Sequence, residues 1–75
     1  MQLTTKLKLA AVHNWCDAED KSTEFMIQYM QDVCKVSHDT VIDYLSLPSP
    51  EINTLRTTVM KFTHFMIEWM EGEEE

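Results

Sequence analysis

Apolar residues recur along this chain at intervals of three and four, and strand-like alternation is nearly absent. Between residues 3 and 16, Leu3, Leu7, Ala10 and Ala11, with Cys16 at the end, mark one side of a helix, and Leu9, Val12 and Trp15 form a neighbouring stripe. The polar run over residues 17–23 interrupts the pattern and reads as a connector, in which the side chain of Asp17, Asp20 or Ser22 caps the next helix by accepting from an orphan backbone N–H. Phe25, Tyr29, Val33 and Val36, flanked by Met26, Met30 and Cys34, make the broad apolar face of a second helix, while Gln28, Gln31, Asp32 and Lys35 point elsewhere. Ser37 is a preferred N-cap and Asp39 suits the positive end of a helix dipole, which predicts a short third helix with Val41, Ile42 and Leu45 inward and Tyr44 on an edge.

The segment Leu47-Pro48-Ser49-Pro50 stops that helix, since both prolines push the residue before them out of the α region. It also starts another, with Ser49 as N-cap, Pro50 at the first helical position and Glu51 in the first turn. Ile52, Leu55, Val59, Phe62, Met66 and Trp69 then follow at spacings of three and four, the seam of knobs-into-holes packing. Gly72 is placed to end this helix, and the glutamates after it sit where the dipole repels them. The pattern therefore predicts one all-α domain over residues 1–75, a small bundle of about four helices at 3–16, 20–36, 38–46 and 50–71, with a short acidic tail at 72–75. Its expected core is Leu7, Ala11, Phe25, Tyr29, Val33, Val41, Leu45, Ile52, Leu55, Val59, Phe62 and Met66.

Size and charge narrow what such a bundle can do. A chain of 75 residues buries a thin core, so association with a second copy or a partner is expected from size alone. A formal net charge of −7, with Lys and Arg scattered singly, argues against nucleic acid and anionic lipid as partners. No stretch has the length and apolarity of a signal peptide or a membrane span, and two cysteines are too few for a disulfide scaffold, so a cytoplasmic protein is expected. His13, His38 and His64 lack the paired spacing of a zinc site, and one glycine leaves no phosphate-cradling loop, so neither metal nor cofactor is expected.

No catalytic constellation emerges. Cys34 and His38 are one turn apart, but a cap at Ser37 breaks the register between them. Residues 36–45 look like the turn and recognition helix of a helix-turn-helix, yet they present His38, Asp39, Thr40 and Asp43 where base and phosphate contacts need Arg, Lys, Asn or Gln. What stands out is helix four, where Met60, Phe65, Ile67 and Met70 widen the apolar stripe nearly all round the last turns. Three short companions cannot cover that circumference. A self or partner interface is therefore expected at Ile52, Leu55, Val59, Phe62, Phe65, Met66, Trp69 and Met70, making the chain a non-enzymatic interaction protein and a homo-oligomer.

The run Val33-Cys34-Lys35-Val36-Ser37-His38-Asp39-Thr40-Val41-Ile42-Asp43-Tyr44-Leu45-Ser46-Leu47 resembles the LC-x-VSP-DTI-x-DL-x-L pattern of bacteriophage tail assembly chaperones, with His38 where the family usually has Pro. The resemblance extends over residues 17–65. It implies a chaperone that coats the long apolar helical tape-measure protein, keeps it soluble until tail-tube subunits polymerise, and self-associates. The alternative is a small acidic phage-type inhibitor that binds a host protein, with DNA mimicry as one route.

Overall fold

The computed structural model describes residues 1–61, which fold into four helices: α1 (Leu3–Ala18), α2 (Thr23–Cys34), α3 (His38–Leu45) and α4 (Ser49–Lys61). No strand occurs among the described residues, and the expected all-α architecture is the one observed. The expected end of helix four near residue 71, the tail at 72–75 and the core positions Phe62 and Met66 lie outside the described residues.

Each boundary has a local cause. Helix α1 runs two residues past its expected end, because the exit turn closes on its own backbone: Asp20 N–H reaches the Asp17 carbonyl at 3.2 Å and Lys21 N–H reaches the Cys16 carbonyl at 2.9 Å. This is a Schellman ending, with Asp20 at φ 56° in the left-handed position usually given to Gly. Of the three proposed caps for α2, Ser22 is the one used. Its Oγ accepts from Phe25 N–H at 3.2 Å, so the helix starts at Thr23 rather than near residue 20. The helix ends at Cys34, two residues before the expected stop, because Lys35 turns left-handed at φ 54°. Ser37 caps α3 as expected, accepting from Thr40 N–H at 3.2 Å. Ser49 is not the cap of α4. The Pro48 carbonyl already accepts from Ile52 N–H at 3.1 Å, which makes Ser49 the first helical residue and leaves Pro50 inside the first turn, where its missing N–H breaks no helical bond.

Helix α1 packs against each of the other three, most extensively against α4 and α2. Ion pairing of Lys6 with Glu51 near the starts, and of Arg56 with Asp17 farther along, shows that α1 and α4 run in the same direction. The intervening α2 and α3 return the chain. The buried set is Leu9, Ala10, Val12, Cys16, Met30, Val41, Tyr44, Leu55 and Val59.

Against the expected core, Val41, Leu55 and Val59 are buried, while Leu7, Ala11, Tyr29, Val33, Leu45 and Ile52 are partly buried around them. On α1, Ala10 and Cys16 of the first stripe and Leu9 and Val12 of the neighbouring one are buried together, while Leu3 is 65% and Trp15 40% exposed. Both stripes have helical spacing, so only the approach of α2 and α4 could set which positions of each lie inward. Phe25 is a further correction, at 40% exposure, with Met30 taking the central place on α2. An unbranched thioether adapts to irregular core space more readily than a rigid ring. Tyr44, placed on an edge by its pattern, is completely buried.

Two substitutions test these backbone assignments. Lys35→Gly should raise stability by up to about 1 kcal/mol in urea unfolding, because Gly removes the left-handed penalty at a site that needs positive φ. Ser22→Ala should lower it by about 1 kcal/mol by stripping the cap from α2.

Candidate functional site

Two groups of side chains stand apart from the apolar core. The first is a polar node at the junction of α1, α3 and α4. Adjacent residues His13 and Asn14 on α1 diverge to different helices. His13 Nδ1 lies 2.9 Å from the Tyr44 hydroxyl on α3, and the two rings meet edge to face with centroids 5.8 Å apart. Asn14 grips Arg56 of α4 twice: its Oδ1 accepts from Arg56 Nε at 2.6 Å, and its Nδ2 donates to the Arg56 carbonyl at 3.1 Å. Arg56 Nη2 then donates to Asp17 Oδ2 at 3.0 Å.

The electrostatics of the node keep its two titratable rings neutral. Burial lowers the His13 pKa, the Arg56 guanidinium adds to that, and Asp17 opposes it. Burial pushes the Tyr44 phenol up to about 12, with Arg56 pulling the other way. The neutral imidazole and the protonated phenol share one hydrogen bond between Nδ1 and the hydroxyl, which lets a tyrosine sit fully inside a core with its oxygen satisfied. No buried side-chain N or O among the described residues lacks a partner. A phenol held protonated this firmly is a poor general base, and the node acts as a pin between helices. Sequence reasoning treated His13 only as a zinc ligand without a partner.

The second group is an aromatic platform at the α1–α2 junction. Trp15 and Tyr29 stack at 5.0 Å between centroids, Phe25 and Tyr29 at 5.5 Å, and Trp15 and Phe25 lie 6.5 Å apart. Lys21, held by the Schellman turn, places Nζ 5.0 Å from the Phe25 centroid and 5.9 Å from that of Trp15. Trp15 and Phe25 each keep 40% of their surface exposed. Between them in sequence, Asp17 at the end of α1, Glu19 and Asp20 in the connector and Glu24 in the first turn of α2 are all exposed. The residues were legible as apolar positions, but nothing in their spacing said that three rings from two helices would meet outside the core.

The expected interface on helix four divides in two. Leu55 and Val59 are buried in the chain's own core and Ile52 is packed against it. Phe62, Phe65, Met66, Trp69 and Met70 lie outside the described residues. Cys34 and His38 are separated by the left-handed Lys35 and the cap at Ser37. Cys16 is buried, which pushes its thiol pKa up. Among the described residues no group of three His, Cys, Asp or Glu converges to hold a metal ion, and no helix is long and apolar enough to cross a membrane.

Fold and surface together define a small all-α bundle with an aromatic platform on one end. No family model matches the chain, and no curated protein or solved structure matches it significantly.

The node makes stability depend on pH in a stated direction. With the folded-state pKa of His13 below its ordinary 6.5, the unfolded chain takes up the proton first, so the His13 contribution is complete above that pH and is lost as pH falls below it. Between pH 7 and 5.5 the native protein should therefore lose more stability than His13→Gln; equal losses contradict the assignment. Tyr44→Phe should cost about 1–2 kcal/mol at pH 7, from the half-buried imidazole left without its hydrogen-bond partner. It should also flatten the alkaline loss that begins near the ordinary tyrosine pKa of 10 and continues toward about 12.

Proposed function

We propose that this protein is a non-enzymatic interaction module that shields an apolar helical client in the cytoplasm, in the manner of the tail assembly chaperones whose pattern residues 33–47 resemble. The observation that carries the reading is the platform itself. Trp15 and Phe25 remain 40% exposed in a chain whose core closes without them, and side-by-side exposed rings are the kind of surface that anchors a partner.

The resembling residues fall into roles that fit such a scaffold. Ser37 caps, Val41 and Tyr44 fill the core, and the run spans the end of α2, the turn and α3. They would specify the bundle, which leaves client contact to the platform and to Phe62, Phe65, Met66, Trp69 and Met70. Those five apolar residues also serve the self-association that belongs to the same proposal. The acidic surface, at a net −7, would keep a loaded complex dispersed.

Co-expression with a tape-measure fragment tests the reading. The soluble fraction of the fragment should rise several-fold with this protein. It should return to the control level with Trp15→Ser/Phe25→Ser, provided the variant keeps its helical circular dichroism. A fragment equally insoluble with and without the native chain overturns the proposal.

A further inference from the structure

The exposed charge around the platform is mostly negative. Beside the rings, the connector exposes Glu19 and Asp20 and the first turn of α2 exposes Glu24, with Asp17 shared with Arg56 at 3.0 Å and Asp32 one turn beyond Tyr29 on α2. Lys21 is the single cation among residues 15–32, and it lies over the ring faces rather than out among the carboxylates. The platform therefore already receives an ammonium, 5.0 Å from the centroid of Phe25, by the attraction of a cation to the negative face of a π system.

We propose that the platform is a docking site for a basic amphipathic helix. The apolar side of that helix would cover Trp15, Phe25 and Tyr29, and its Lys or Arg residues would reach the ring faces and the surrounding carboxylates. The inference rests on the docking role proposed above and adds the chemistry of the partner.

Two occupants closer to hand are disfavoured by the same charges. The segment of residues 62–75 that follows α4 in the sequence carries Glu68, Glu71, Glu73, Glu74 and Glu75 and no Lys or Arg. Folding that segment over an acidic rim sets like charges together. A second copy docked platform to platform would likewise set two acidic rims together, whereas the proposed self-association uses the residues after α4. A basic helix has the apolar face without the repulsion.

The test uses the full chain carrying Trp69→Phe, so that Trp15 is the only fluorophore of its kind, and three synthetic helical peptides. All share one apolar face of Leu and Ile, with Lys, Gln or Glu at the polar positions. The Lys peptide should shift Trp15 emission saturably and bind at least about tenfold more tightly than the Glu peptide, with the advantage shrinking as salt rises. Lys21→Ala should tighten the Lys peptide several-fold by removing a competing cation. Glu19→Lys/Glu24→Lys should weaken it while leaving the Gln peptide unchanged.

Equal, salt-insensitive binding of all three peptides overturns the charge inference and leaves the docking reading standing. No response to any peptide, with Trp15 freely quenched by acrylamide, overturns both. Trp15 shielded from acrylamide before any peptide is added means that the chain covers the platform itself, which overturns the basic-partner proposal; loss of the shielding on dilution identifies the cover as a second copy.

Discussion

The buried stripe of α1 is the constraint on which the rest of the structure depends. Leu9, Val12 and Cys16 are shielded almost completely, and each of the other helices packs on α1. Removing a side chain such as Leu9 from water is worth about 1.5–3 kcal/mol, more than any exposed ion pair in the protein can supply. The Lys6–Glu51 pair at 2.8 Å and the Arg56–Asp17 pair at 3.0 Å are partly solvated and add little to stability. A chain of this size has no second core to fall back on. The helices α2, α3 and α4 are therefore held chiefly by what they place against one stripe.

Apolar seams with spacings of three and four slide easily, because a shift by one turn presents nearly the same surface. The polar node removes that freedom. Asn14 meets both the side chain and the backbone carbonyl of Arg56, so it recognises one register of α4 along α1. His13 does the same for α3 through the single oxygen of Tyr44. Hydrogen bonds of this kind contribute only about 1 kcal/mol each, but a register shift would leave their half-buried partners unpaired, and that penalty is larger. Burial supplies the stability and the node supplies the alignment.

The same alignment leaves the platform outside. The Schellman turn after α1 and the Ser22 cap bring Trp15 and Phe25 to adjacent turns of two helices, where they stack through Tyr29 instead of entering the core. Met30 is the fully buried residue of α2, while Phe25 is 40% exposed. An exposed stack beneath a lysine and beside several carboxylates is an amphipathic surface. Under the docking role proposed above its value lies in recognition, since the core of the described residues forms without Trp15 and Phe25.

What the sequence by itself determined was the number and order of the helices and the starts of α1 and α3, because those depend on neighbours a few residues apart. Ser37 capping α3, the proline break before α4 and the inward Leu55 and Val59 were all readable from local spacing. The inward face of α1, the burial of Tyr44 and the outward turn of Phe25 were decided only by tertiary structure. In each case the choice fell to packing against other helices, which spacing within one helix does not record. A hydroxyl becomes a core group only where an imidazole 31 residues earlier in the chain meets it, and no periodicity within a helix records that meeting.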